Sequence, residues 1–348
     1  MEDVTLGEKT IGDAFPCFII AEAGVNHNGS LKIAKKLVDV ACNAKVDAIK
    51  FQTYKSEELV TPDAALANYQ MKNTGKKQTQ LEMLKKLELN HSDFKELKTY
   101  CDKKNIVFLS TPHSYDAIDF LDELVPFYKF GSGDLTNLPF IIHAASKNKP
   151  IMLGTGMATM KEVKKAVEGI RKKGNNDIVC LHCTTNYPCS FDEVNLRAMI
   201  TIKEQLDCMV GYSDHSLGLL VPIVAVSMGA NVIEKHFTLD KNLEGPDHKA
   251  SLNPEELKSM VSEIRKVEKI LGHRDKKPTN SEKKIKNLVR KSIVAAKNIK
   301  RGTILTREML SIKRPGLGLK PELLESIIGK RTTRNLQKDE IIRVGDVK

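Results

Sequence analysis

From Cys17 onward, short runs of apolar, β-prone residues alternate with longer stretches in which apolar positions recur every three or four residues. The runs at 17–22, 47–51, 106–110, 127–131, 150–154, 178–182, 208–212 and 231–236 are bounded by polar or turn-forming residues and predict strands. Between them the spacing predicts helices. At 159–172, Met160, Val163, Val167 and Ile170 share one face. At 254–271 the stripe is Leu257, Met260, Val261, Ile264 and Val267. That helix has clear start chemistry: Asn253 can cap it, Pro254 suits the first turn, and Glu256 completes a capping-box-like pair.

Eight βα units in roughly 250 residues match a closed (β/α)8 TIM barrel. An open doubly wound sheet fits less well, because no GxGxxG turn follows the first strand. After Leu271 the periodicity fades into the charged stretch HRDKKPTNSEKKIKNL, which reads as a linker. From Val289, SIVAAKNIKRGTILT and KDEIIRVGDV are short β-like runs broken by Gly-containing turns, around a small helix near 321–328. The expected organisation is a barrel at 1–272, a linker at 273–288 and a small β-rich domain at 289–348.

Composition narrows the picture. With 348 residues, 41% hydrophobic and 28% charged, the chain can bury a full core, so global disorder is excluded. No apolar run approaches the ~20 residues of a membrane span, and Glu2, Asp3 and Glu8 stand where a signal peptide would be basic. Seven cysteines, an odd number lying mostly in apolar runs, favour reduced thiols in a cytoplasm. Cys180 and Cys183 form a CxxC inside a strand-like run without a second pair, a weak signal for metal or redox use. The net charge of +11 is uneven: residues 273–348 carry 21 basic against 8 acidic residues, and the preceding 272 carry 34 against 36. Such asymmetry points to two domains and an anionic partner: nucleic acid, a membrane surface, an acidic substrate or another subunit. Few aromatics accompany the basic tail, so any nucleic-acid contact there would be to phosphate.

In a barrel, reactive groups gather at the C-terminal strand ends. Here nearly every strand ends in polar residues: Glu22, Asn26 and His27; Lys50 and Gln52; Ser110 and Thr111; Lys129, Ser132 and Asp134; the turn GTG at 154–156; His182, Thr185 and Tyr187; Ser213, Asp214 and His215; Glu234 and His236. A structural barrel has no need of such a series. His215 and His236 end adjacent strands and could bind one divalent metal, leaving positions for water and substrate. Glu22 could join through a water or act as an acid or base, or it could pair with a strand-end lysine. Lys50 and Lys129, with the hydroxyls of Thr111, Ser132 and Ser213, make a cradle for phosphate or carboxylate, to which the GTG turn could add N–H donors. A Schiff-base lysine, as in barrel aldolases, is the rival chemistry. His27, His182 and Glu234 read as supporting groups. Asp247, in the GPDH turn, could accept substrate hydroxyls or stabilise its own turn, and Arg314 sits on the KRPGLG turn of the tail.

The motifs AEAGVNHNG at 21–29, KFQT at 50–53, LSTPH at 109–113, KFGSGD at 129–134, GTGM at 154–157, HCTTNYP at 182–188, GYSDHS at 211–216, EKHFTLD at 234–240 and GPDH at 245–248 closely resemble the sialic acid synthase family. The resemblance runs from about Phe18 to the C-terminus, and KRPGLG resembles the antifreeze-like domain that ends these synthases. It implies a cytoplasmic transferase that condenses phosphoenolpyruvate with N-acetylmannosamine, giving N-acetylneuraminate and phosphate. The alternative within the family is an N,N'-diacetyllegionaminate synthase acting on 2,4-diacetamido-2,4,6-trideoxy-mannose. It implies that His215 and His236 hold Mn²⁺ or Mg²⁺, with Co²⁺ a third candidate, and that Glu22 acts beside them. Lys50, Thr111, Lys129, Ser132 and Ser213 would hold phosphoenolpyruvate; Gln52, Asp134, Tyr187 and Asp247 would hold the N-acylated hexosamine. Arg314 would reach that sugar from the other subunit of a domain-swapped homodimer, with no membrane or nucleic-acid partner. Asp134 stands where many bacterial members of the family have Glu, Gly154 where Ser is common and Thr185 where some have Asn, and Asp134 and Thr185 lie near the expected sugar pocket.

Overall fold

A computed structural model describes residues 2–75 and 78–348. By packing it forms two compact units, one ending at Gly272 and one beginning at His273.

The first unit opens with a small antiparallel hairpin, β1 (Val4–Leu6) and β2 (Lys9–Ile11), which the hydrophobic pattern did not reveal because each strand has only three residues. Eight parallel strands follow: β3 (Phe18–Gly24), β4 (Ala48–Thr53), β5 (Val107–Pro112), β6 (Tyr128–Phe130), β7 (Ile151–Gly154), β8 (Ile178–His182), β9 (Met209–Asp214) and β10 (Val232–His236). Their order is β5-β4-β3-β10-β9-β8-β7-β6, and β5 lies against β6, so the sheet curls into a TIM barrel with helices outside. Every predicted strand is present within a residue or two. The strands are buried along almost their whole length, as expected where side chains on both faces are covered. Phe18, Phe51, Phe108, Phe127, Tyr128 and Phe130 fill much of the core.

Register places the reactive ends at one level: Glu22 pairs with Lys50 across β3 and β4, and with His236 across β3 and β10. Gly211 permits the close approach of β9 to β10, since a Cβ there would meet Val232 O at 2.4 Å. The helices have the expected start chemistry. Met160–Arg171 is capped by Thr159 with Glu162, and Pro254–Leu271 by Asn253 with Glu256, each as a reciprocal capping box. Three short helices between β4 and β5, Ser56–Leu59, Asn68–Thr74 and Gln80–Lys85, lie on the side of the barrel where the strands end.

In the second unit, helix Asn280–Val289 occupies part of the stretch read as a linker. Its charged sequence hid it, but Thr279 and Glu282 form a capping box that starts it. The ladder is shorter than the β-like runs implied. It pairs β11 (Ser292–Ala295) with β12 (Leu310–Lys313), and KDEIIRVGDV contributes isolated bridges such as Val294 to Ile341. Ile293, Leu305, Leu310, Leu336 and Ile342 form part of its separate core. Among the described residues no helix is long and apolar enough to cross a membrane. All seven cysteines are free thiols.

Candidate active site

The strand ends enclose a cavity of about 190 Å³. Side chains two apart on a strand point the same way, so β10 sends Glu234 and His236 to the cavity and Lys235 to the opposite face. Of the residues expected from sequence, Glu22, Lys50, Gln52, Thr111, Lys129, Ser132, Tyr187, Ser213, His215 and His236 all line it. Glu234, read from the sequence as a supporting group, lines it too. The alternation linking it to His236 was the available signal.

Two ammonium groups and two carboxylates form its floor. Lys50 Nζ lies 2.7 Å from Glu22 Oε2 and 3.9 Å from Glu234 Oε2, and donates to Thr111 Oγ1 at 2.9 Å. Lys129 Nζ lies 3.3 Å from Glu234 Oε1, which also accepts from Ser213 Oγ at 2.9 Å. The carboxylates diverge in acidity. Burial, opposed by Lys50, raises Glu22 to about 7. Burial also pushes Glu234 up, but Lys129 and Lys50 outweigh it and hold it at about 2. Burial acts to lower Lys50, yet Glu22 and Glu234 more than offset it and keep its ammonium charged. A Schiff-base nucleophile must be a neutral amine, so Lys50 is poorly suited to that role.

The GTG turn does not supply free donors as expected. Thr155 N–H donates to Leu181 O and Gly156 N–H to Ser132 Oγ, both at 3.0 Å, so these donors position neighbouring groups instead. Gly156 is required there, because a Cβ would sit 2.2 Å from Thr185 Oγ1.

His215 and His236 face each other with ring centroids 5.7 Å apart. The His215 Nδ1 is 2.7 Å from Thr184 O, which fixes the proton on Nδ1 and leaves Nε2 with a lone pair. Burial holds both imidazoles below their usual pKa and hence neutral. His236 Nδ1 is buried without a hydrogen-bond partner among the described residues. Two neutral imidazoles, one with an unused nitrogen, fit a divalent metal that retains open positions. No group of three or more His, Cys, Asp or Glu gathers as a fuller ligand set among the described residues. Behind the pair, Lys235 forms a fully buried ion pair with Asp214 and donates to Ser216 O. Because Asp214 and Lys235 are paired in register, this clamp holds the strand segments that carry the two histidines.

The remaining expected residues are not part of this lining. Asp134 Oδ2 is 3.6 Å from Nδ1 of His113, and burial raises Asp134 to about 6 and lowers His113 to about 4. His113 also lines the cavity with Nε2 unpartnered among the described residues; sequence reasoning missed it, although it ends the LSTPH motif. Asp247 is buried beyond Tyr187, and burial raises it to about 6. His27 and His182 do not line the cavity: His27 Nδ1 accepts from Gly29 N–H at 3.1 Å, and His182 Nε2 is 3.0 Å from Val194 O. Arg314 is exposed in the second unit, on the turn after β12.

A family model described as the NeuB family matches residues 37–276, and one described as the SAF domain matches 290–348. Two N,N'-diacetyllegionaminic acid synthases are similar along nearly their whole length. That of Campylobacter jejuni is 47% identical, covering 93% of this chain and 98% of the relative; that of Legionella pneumophila is 46% identical, covering 95% and 94%. The human N-acetylneuraminate-9-phosphate synthase is 37% identical over 96% of this chain and 93% of its own. A crystal structure of the N-acetylneuraminic acid synthetase of Leptospira borgpetersenii aligns with a TM-score of 0.73 and 37% identity, covering 81% of this chain and 94% of the other.

Proposed function

We propose, from the premise that the chain belongs to the NeuB family and ends in a SAF domain, that it condenses phosphoenolpyruvate with 2,4-diacetamido-2,4,6-trideoxy-mannose, giving N,N'-diacetyllegionaminate and phosphate. The observation that carries the choice of sugar is the identity of 47% and 46% to two diacetyllegionaminic acid synthases, against 37% to a neuraminate-9-phosphate synthase. This reverses the sequence-based preference for N-acetylmannosamine and favours its alternative.

In this reading Lys50 and Lys129 hold the phosphate and carboxylate of phosphoenolpyruvate, helped by Thr111, Ser132 and Ser213, which line the same cavity. Glu234 balances both ammonium groups and keeps them in place. His215 and His236 hold a divalent metal, which when bound supplies Lewis-acid polarisation of the sugar aldehyde. C3 of phosphoenolpyruvate bonds to the aldehyde carbon. A water then bonds to C2 and gives its proton to Glu22, whose pKa of about 7 suits proton transfer. Breaking the C2–O bond to phosphate leaves the 2-keto acid, the C2 hydroxyl proton passing to the departing phosphate and the Glu22 proton to the sugar oxygen that the first step leaves as an alkoxide. Gln52, Tyr187, Asp134 and Asp247 hold the sugar.

Arg314 completes the sugar site from a second copy of the chain. Two features support a covering subunit: Met157 and Leu217, on loops after strand ends, and Phe191 and Leu220, at the starts of helices that follow strands, are exposed, and a tail of net +13 accompanies a barrel of net −2. Phosphate release with the two candidate sugars, described at the end of the Discussion, tests the assignment.

A further inference from the structure

Helix Asn68–Thr74, inserted between β4 and β5, is tied to the sugar side of the site at two points. Tyr69 stacks on Tyr187 with ring centroids 5.1 Å apart and planes 28° apart, and Tyr187 in turn lies 4.1 Å from the His215 ring. One turn of helix later, Asn73 Nδ2 donates to Pro246 O at 2.6 Å, in the loop that carries Asp247. Asp247 is about nine-tenths buried, and its charge adds to burial in raising the pKa values of Tyr54, Tyr69 and Tyr187, which places it beside all three rings. A carboxylate placed there can accept a ligand's N–H or O–H.

Tyr187 touches both histidine rings on one side and Tyr69 on the other, so a sugar with its aldehyde end at His215 and His236 would extend along Tyr187 toward Tyr69. We propose that Tyr69 is a specificity-determining residue of the sugar site, its ring packing against the acetamido and methyl groups that distinguish the diacetamido trideoxy sugar from N-acetylmannosamine. This rests on the reading of the reaction and its sugar given above. The chemistry is selective because an aromatic ring gains from apolar and amide groups and gains little from the hydroxyls that replace them. Nothing in the sequence marks Tyr69, which lies outside every motif and at no strand end.

The test is the ratio of kcat/KM for 2,4-diacetamido-2,4,6-trideoxy-mannose to that for N-acetylmannosamine, measured for the full-length protein with Mn²⁺. Tyr69→Ala is expected to lower this ratio about tenfold while the KM for phosphoenolpyruvate changes by about twofold or less. Tyr69→Phe, which keeps the ring, keeps the ratio. If Tyr69→Ala does not fold, Tyr69→Leu keeps apolar bulk without the flat ring and should lower the ratio in the same direction. A ratio within about twofold of wild type in the variant lacking the ring overturns the proposal. Wild-type preference for N-acetylmannosamine would overturn the sugar reading, and Tyr69 would then stand or fall on whether its variant moves the ratio. Turnover of neither sugar by wild type overturns both.

Discussion

Lys50 Nζ lies 2.7 Å from Glu22 Oε2, and both side chains are almost wholly shielded from water. The pairing follows from strand register, which sets the two residues opposite each other on β3 and β4. A buried pair of this kind is costly to break: Glu22 helps keep Lys50 charged, while burial, opposed by Lys50, leaves Glu22 with a pKa of about 7.

The first consequence concerns covalent chemistry. With Lys50 held charged by Glu22 and Glu234, incubation with pyruvate and borohydride is expected to leave the protein mass unchanged. A reduced adduct on Lys50 or Lys129 would restore the aldolase reading.

Glu22 should govern the pH profile. Its pKa is raised to about 7, and the reaction needs its carboxylate form, so kcat/KM should rise as pH passes through 7. Glu22→Gln should lose at least about a hundredfold in kcat and abolish that limb. A variant that retains both the rate and the limb would remove Glu22 from the proton transfer.

How much of this was legible in the sequence depended on periodicity. All eight barrel strands could be read because each buries both faces, and the strand-end rule then nominated twelve polar residues that line the cavity. Glu234 was underrated because the charged run Glu234-Lys235-His236 hides its alternation: Lys235 turns outward to Asp214 while its neighbours turn inward. Helix Asn280–Val289 carries no buried residue, so no apolar pattern announced it. Tyr69 reaches the site through an inserted helix whose place in the fold no local pattern specifies.

Asp247 should trade stability for function. Its pKa rises from 3.8 to about 6 on folding, so its favourable contribution is present below pH 4 and lost as pH passes through 6. The rise corresponds to roughly 3 kcal/mol at most. Asp247→Asn should therefore unfold a few degrees higher than wild type at pH 8, show no such gain at pH 3.5, and lose sugar turnover. Thermal unfolding at the two pH values checks it, and a loss of stability at pH 8 would contradict it.

The histidine pair and its clamp can be separated by metal binding. His215→Ala should abolish turnover and weaken Mn²⁺ binding measured by calorimetry by at least about tenfold. Lys235→Met, which touches no substrate, should weaken it through the misplaced strand ends, with a loss of about 3–5 kcal/mol in stability because Asp214 is left buried and unpaired. Undiminished Mn²⁺ affinity in His215→Ala would remove the metal from this site.

Subunit exchange addresses Arg314. Arg314→Ala and His236→Ala should each be inactive alone, and a mixture refolded together should regain up to about a quarter of wild-type activity, because one site in such dimers is intact. Absence of any recovery would place Arg314 outside its partner's site.

The most direct test of the central claim is phosphate release from phosphoenolpyruvate by chelator-stripped protein with Mn²⁺ restored, offered 2,4-diacetamido-2,4,6-trideoxy-mannose and N-acetylmannosamine in parallel. The account predicts metal-dependent release that is at least about tenfold more efficient with the diacetamido sugar. Release only with N-acetylmannosamine would contradict the assigned sugar, and release with neither would contradict the reaction itself.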